Sequence, residues 1–340
     1  MTTTPAYEDA AEGSELELAD FEPQVEDFRR DLLVGLRATP KKTHPKYLYD
    51  REGSLLFDGI TRCEDYYPTK TELSIYANSA REIGETIGKR AMLVEPGAGN
   101  GEKAMFLLAR LDSPASYVPV EISREHLVES SHRINEAFPK LEVLPVVADF
   151  TADHELPTPS ERPGCTVVWF PGSTIGNFEP RERIDLLRHF ADLARKCHSD
   201  RSGVLIGFDL VKPVKVLERA YDDSEGVTAA FNLNLLARAN RELGADFDLD
   251  NFRHRAIWNP DRERVEMHLI ARKKHEVRIG KETVRFEAGE SIHTESSHKF
   301  TVDGFARSAA EAGLELERHW TDDRGWFCVA WFKPASPEDR

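Results

Sequence analysis

Between residues 70 and 210, short apolar runs alternate with amphipathic stretches, and this alternation limits the fold more than any other feature of the chain. TELSIYANSAREIGETIG has helical spacing, AMLVEP is a brief apolar run, and GEKAMFLLARL is helical again directly after a glycine-rich turn. SYVPVEIS, LEVLPVVADF, CTVVWF and GVLIGFDL read as further strands, with REHLVESSHRINEAF and PRERIDLLRHFADLARKC as the helices between them. Short strands connected through helices of this length specify a parallel sheet covered on both faces, an α/β doubly wound fold. Ligands of such sheets bind beyond the carboxyl ends of the strands.

The alternation fails on either side. VEDFRRDLLVGLR has an amphipathic helical period that Pro40 and Pro45 forbid from continuing, and a tyrosine-rich segment, YLYDREGSLLFDGITRCEDYYPTKTE, follows it. After residue 210 comes a long helical stretch, TAAFNLNLLARANRELG, and then antiparallel strand patterns over 252–298, before a final helix and strand pair complete the sheet. The expected layout is a nucleotide-type domain of residues 70–210 plus 299–340 and a smaller α+β substrate domain of 21–69 plus 211–298. Residues 1–20 are polar and acidic and read as a disordered tail.

A net charge of −15 disfavours nucleic acid and acidic membrane surfaces, which are bound through clustered Lys and Arg. The N-terminus lacks the basic and apolar regions of a signal peptide, and no run approaches the roughly 20 apolar residues of a membrane span. Cys63, Cys165, Cys197 and Cys328 form no CxxC pair, and the spacing of His254, His268, His275, His293 and His298 matches no common metal motif, so strand-surface histidines and no metal are expected. These features describe a cytoplasmic protein, expected as a monomer, whose partner is a small molecule.

The loop after AMLVEP, EPGAGNGEK, narrows the ligand. Gly97, Gly99 and Gly101 are spaced GxGxG, and Glu102 stands where the dinucleotide fingerprint needs its third glycine. The Lys-Ser/Thr of a phosphate loop is absent as well. An acidic strand end, Glu95, running into GxGxG is the pattern of class I S-adenosylmethionine-dependent methyltransferases, with a Rossmann-like sheet. The donor carries a sulfonium, an ammonium and a carboxylate but no phosphate, so nearby carboxylates and close backbone approach suit it. Glu121 ends the next strand, placed for ribose hydroxyls; Asp149 ends the one after, placed for the adenine amino group, and Phe150 packs against the ring.

Longer blocks go further. YLYDREGSLLFDGIT, DYYPTKTE, EPGAGNGEK, PVEIS, FPGSTIGNF, YDDSEGVTAAFNLNLLARANRELGADFD, RVEMHLIARK and HTESSHKF, in this order, resemble the histidine Nα-methyltransferases that make hercynine for ergothioneine biosynthesis. The resemblance implies a donor site of Tyr49, Gly97, Lys103, Glu121, Asp149 and Phe150. For L-histidine and its mono- and dimethylated forms it implies Tyr66, Asn177, Tyr221, Met267, Glu295 and Ser297. In that family Asn177 and the two tyrosines hold the amine and carboxylate, and the Glu and Ser of a TExS motif hold the imidazole. This chain departs from the family at Glu121, usually Asp, at Pro96 and Ala98, and at Ser296 within TESS.

The implied chemistry is consistent. An imidazole has one N–H donor and one acceptor nitrogen, and Glu295 and Ser297, two apart on a strand, share a face. Methyl transfer is an in-line displacement that needs alignment, desolvation and a neutral amine. Deprotonation through water near Tyr49 is expected, which makes Tyr49 the candidate catalytic residue. Tyrosine faces also suit the quaternary ammonium that three methylations produce. Open beside this reading are a methyltransferase of another amino acid or amine, a nicotinamide-dependent oxidoreductase, and a donor-binding regulator without turnover.

Overall fold

A computed structural model describes residues 6–7, 18–20, 25–152, 155–197 and 199–335. These residues group into two units: one of residues 1–23, 70–210 and 300–340, the other of 24–69 and 211–299.

The first unit is a sheet with the strand order Ala6–Tyr7, Ala19–Asp20, Val146–Val147, Ser116–Glu121, Ala91–Pro96, Cys165–Phe170, Gly203–Asp209, Phe327–Pro334, Leu314–Thr321. From Ala19–Asp20 to Gly203–Asp209 every neighbouring pair is parallel. The Phe327–Pro334 strand runs antiparallel to both its neighbours. A parallel sheet closed by one reversed strand inserted before the last is the class I methyltransferase topology. The chain winds outward from Ala91–Pro96 to Val146–Val147 and then returns to Cys165–Phe170 on the other side, so the strand order reverses beside Pro96.

Strand alternation explains why both faces are covered. Val167, Trp169 and Leu205 belong to one buried cluster, with Tyr76, Ile83, Leu107 and Ile134 from helices Tyr67–Ile87, Glu102–Leu108 and Arg124–Ala137. Val168, Phe170, Val204 and Ile206 belong to another, with Leu187 and Phe190 of helix Pro180–Arg195 and Phe305 of Val302–Glu311. Odd and even residues of one strand thus feed different cores, as period-2 geometry requires.

Two expectations need correction here. LEVLPVVADF is not one strand: Glu142–Val143 and Val146–Val147 are separate because Pro145 lacks the N–H a continuous ladder uses. The acidic tail is not wholly without structure either. Ala6–Tyr7 pairs with Ala19–Asp20, and Leu18 is buried against Leu127 and Val147, so this short apolar stretch has something to bury after all. The rest of the expected tail, residues 1–5 and 8–17, lies outside the described residues.

The second unit carries a four-stranded sheet, Phe252–Asn259, Arg264–Ala271, Ser291–His298 and Lys41–Lys42, and a hairpin of His275–Ile279 and Glu282–Phe286. Within the strand patterns expected over 252–298, RVEMHLIARKKHEVRIG divides at the exposed basic run Arg272–Lys274, which leaves the sheet for the hairpin. Helices Val25–Arg37, Arg51–Arg62, Val214–Tyr221 and Val227–Leu243 complete the unit. It extends through Lys299, one residue past the boundary read from sequence.

Candidate active site

In the first unit the glycine loop leaves the strand end Pro96 and enters helix Glu102–Leu108. Gly97, Gly99 and Gly101 all have positive φ, at 71°, 55° and 73°. A side chain at Gly97 would sit 3.4 Å from the Phe150 ring, and one at Gly101 would come within 2.9 Å of Ile134, whereas nothing lies within 4 Å of a Cβ built at Gly99. The third glycine therefore serves close packing, the first is set by its positive φ, and open space lies over the second. Glu121 anchors the loop: its Oε2 accepts from Gly99 N at 3.0 Å, and its Oε1 accepts from Ile122 N and Ser123 N. Asp149 Oδ1 accepts from the backbone and hydroxyl of Thr151 at 3.0 and 2.5 Å. Phe150 meets Phe170 and Phe178 edge-on, at 5.5 and 6.2 Å. Open space over Gly99, carboxylates at two successive strand ends and an aromatic ring beside Gly97 fit an adenosyl group.

Lys103 is joined to a residue that the sequence reading passed over. Its Nζ donates to Glu72 Oε2 at 2.7 Å, and the fully buried Glu72 carboxylate also accepts from Gly172 N at 3.0 Å. Glu72 lies in the quoted block DYYPTKTE, but nothing in its local spacing separates it from a surface helix glutamate. Glu95, the acidic strand end of the loop motif, is buried beneath it. Tyr117 donates to it at 2.5 Å, and burial holds its carboxyl well above the ordinary carboxylate range. Asn177 ends the short helical turn Thr174–Asn177. Helix Pro180–Arg195 is capped by Glu179 with Glu182, so Asn177 is not used as its cap.

The second unit holds the other candidates. Tyr49 follows the turn Pro45–Leu48, and its ring meets Phe57 and Phe231 at 5.6 and 5.3 Å. The next residue, Asp50, caps helix Arg51–Arg62 and accepts from Asn234 at 2.7 Å and from Arg241. Tyr66 is buried, 6.2 Å from Tyr221 ring to ring. Tyr221 ends helix Val214–Tyr221, which the sequence reading did not single out.

Met267 and Glu295 stand opposite each other in the pairing of Arg264–Ala271 with Ser291–His298. A register shift leaves Thr294 over, and its hydroxyl donates to Met267 O at 3.0 Å. Glu295, Ser297 and Lys299 then follow at every second position, all buried. The Ser297 and Tyr221 hydroxyls are 2.7 Å apart, and Lys299 Nζ donates to both, at 2.8 and 2.9 Å. Glu295 Oε2 is buried with no hydrogen-bond partner among the described residues. Burial pushes its carboxyl up to about 7, while the charge of Lys299 pulls it down.

His254, His268 and His293 are not the strand-surface residues expected. His254 is held between Asn232 and Tyr221 O at 2.9 and 2.8 Å; His268 and His293 stack 5.0 Å apart, and Ser296 bonds His293 at 3.0 Å. Burial lowers all three, His293 to about 4. Among the described residues no group of three His, Cys, Asp or Glu could hold a metal ion, and no helix is long and apolar enough to cross a membrane.

Topology and glycine loop define a class I methyltransferase. The family model "histidine-specific methyltransferase, SAM-dependent" matches residues 28–334, and the chain belongs to this family. It is 43% identical to the histidine N-alpha-methyltransferase of Mycolicibacterium smegmatis, over 92% of this chain and 97% of that protein. To the enzyme of the same name from Mycobacterium tuberculosis it is 42% identical, over 88% of this chain and 92% of the other. It also matches a Neurospora crassa protein named ergothioneine biosynthesis protein 1, at 26% identity over 83% of this chain and 32% of that one.

Proposed function

We infer that this chain transfers methyl groups from S-adenosylmethionine to the α-amino nitrogen of L-histidine, three times in succession, giving hercynine for ergothioneine biosynthesis. The observation that carries the choice of substrate is the buried row of the second unit. A carboxyl oxygen without a partner among the described residues and a serine hydroxyl stand two residues apart, as acceptor and donor for the two nitrogens of an imidazole. A ring without such nitrogens would leave these groups unpaired, so phenylalanine should be a very poor substrate.

In this reading residues 70–210 with 300–340 bind the donor, and residues 24–69 with 211–299 supply most of the groups for the amino acid. The donor supplies an already activated methyl, and no metal is required. Gly97 and Gly99 let the backbone approach it, Glu121 accepts from the ribose, Asp149 from the adenine amine, and Phe150 covers the ring. Lys103, held by Glu72, faces the donor's carboxylate. Asn177, Tyr66 and Tyr221 hold the histidine amine and carboxylate, Met267 walls the pocket, and Glu295 and Ser297 hold the ring. An amino acid's amine is mostly protonated at neutral pH, so a proton leaves before attack, through water beside Tyr49. Tyrosine faces keep the growing ammonium in place after it has lost its own donors. The same assignment describes a cytoplasmic monomer that acts on histidine and its mono- and dimethylated forms.

Incubation with histidine and donor, followed by mass detection, should show the mono-, di- and trimethylated products. No gain in mass on histidine, with methylation of another amine in a substrate panel, would replace this reading with that of a sibling methyltransferase. Tyr49→Phe should lower the rate and shift its pH dependence, and full activity at every pH would remove Tyr49 from the reaction.

A further inference from the structure

Lys299 has no part in the assignment above, yet it is the most confined cation of the second unit's buried row. It is 2% exposed, at the end of the row Glu295, Ser297, Lys299. A buried ammonium is tolerated only where it is paired and hydrogen-bonded. Lys299 Nζ donates to Ser297 Oγ at 2.8 Å and to Tyr221 Oη at 2.9 Å, and lies 4.6 Å from the centre of the Tyr221 ring. Its charge also acts on the Glu295 carboxyl, where it opposes the effect of burial.

An ammonium has three donors and no acceptor, whereas a hydroxyl both donates and accepts. A hydroxyl that accepts from Lys299 has one lone pair filled and turns its own proton elsewhere. Ser297 and Tyr221 both accept from Lys299 and share one proton across 2.7 Å. We propose that Lys299 sets the hydrogen-bond polarity of the imidazole pocket, leaving the Ser297–Tyr221 hydroxyl pair with one proton to donate beside the acceptor carboxyl of Glu295. This rests on the histidine reading above and specifies the form of the ring that is bound. The pocket takes the neutral imidazole, with its N–H to Glu295 and its bare nitrogen accepting a hydroxyl proton. The imidazolium, with two N–H groups and no acceptor, finds one donor too many. Lys299 is a positioning residue, because it acts through Ser297, Tyr221 and Glu295.

Two variants of the full-length protein test this, Lys299→Met, which keeps the length but loses every donor, and Lys299→Gln, which keeps two. Histidine kinetics, donor affinity by calorimetry and thermal melting are measured for each. In K299M the KM for histidine should rise about 100-fold, the size of a lost charged hydrogen-bond set, while donor Kd stays within about twofold. K299Q should recover part of the histidine KM. A K299M enzyme with wild-type histidine KM overturns the proposal, as does a K299Q enzyme that loses as much as K299M. If K299M does not fold, K299Q decides alone: a raised histidine KM with unchanged donor Kd supports the proposal, and an unchanged KM or a parallel loss of donor binding overturns it. Wild-type protein that leaves histidine unmethylated defeats the functional reading itself, a result distinct from a wild type that methylates histidine and a variant that does so equally well.

Discussion

The two units solve the problem of holding a polar ligand in different ways. In the first, the groups proposed for the donor sit on loops just past the ends of parallel strands: Gly97 after Pro96, Glu121 at a strand end, Asp149 and Phe150 after Val147. Each of these carboxylates is already tied to loop backbone, Glu121 to its neighbours Ile122 and Ser123 and to Gly99, 22 residues away, and Asp149 to Thr151. In the second, the key groups lie in and just past one strand, and their partners come from far along the chain: Ser297 bonds Tyr221, 76 residues away, and Lys299 bonds it across 78. Loop-borne groups tolerate small shifts of the sheet. Groups inside a buried strand are fixed by pairing, and each unpaired one is costly. The second unit should therefore discriminate between ligands more sharply, and the first should bind through many small contributions.

Removing the acceptor from the second unit should have the largest effect. Glu295→Ala leaves a buried ring N–H with no acceptor, and histidine kcat/KM should fall on the order of 10³-fold, the range seen when one partner of a buried charged pair is truncated. Donor affinity, measured by calorimetry, should hold. If both affinities fall together, the units do not divide the work, and the comparison above breaks.

A loop change in the first unit should cost less and affect the other ligand. Gly97 has φ +71°, where an L-residue is strained, while an added Cβ would meet Phe150 at 3.4 Å, an ordinary contact distance. Gly97→Ala should weaken donor binding by about 20-fold, from about 1–2 kcal/mol of backbone strain. The histidine KM, measured at saturating donor, should change little.

The same contrast governs what was legible in the sequence. Strand-end groups are readable because alternation places the strands and the ligand rule places their ends, so AMLVEP gave residues 91–96 without error and Glu121 and Asp149 followed. Pro145 was visible in LEVLPVVADF, but its consequence, a broken strand, depends on whether a partner strand needs its N–H. The second unit was readable only as blocks of resemblance. Period-2 spacing suggested that Glu295 and Ser297 share a face, but not that Thr294 is extruded just before them or that Met267 stands opposite. Lys299 looked like the start of the next domain, and its role depends on a tyrosine at the end of a helix that local pattern did not reveal. Glu72 escaped for the same reason, since its partners Lys103 and Gly172 are 31 and 100 residues away. The histidines misled in the opposite direction: with no metal motif in their spacing, strand-surface positions were expected, whereas Asn232, Ser296 and neighbouring rings enclose His254, His268 and His293.

The smallest effect is expected at the sheet edge, where it measures how far the donor half depends on its scaffold. Leu18 is buried against Leu127 and Val147, and the adjoining Ala19–Asp20 pairs with Val146–Val147, two residues before Asp149. Leu18→Ala removes three methylene-sized groups at an edge that can partly collapse, a cost near the lower end of about 2–5 kcal/mol for such truncations. For a unit of this size each kcal/mol lowers the melting temperature by about 2–4 °C, so a drop of several degrees should be seen by calorimetry. Donor Kd at 25 °C should change less than about twofold, because Asp149 is held by its own bonds to Thr151 rather than by the edge strand. A donor Kd that weakens as much as in Gly97→Ala would mean that the edge strand positions Asp149. The first unit would then resemble the second, holding its ligand through long-range pairing and not through locally fastened loops.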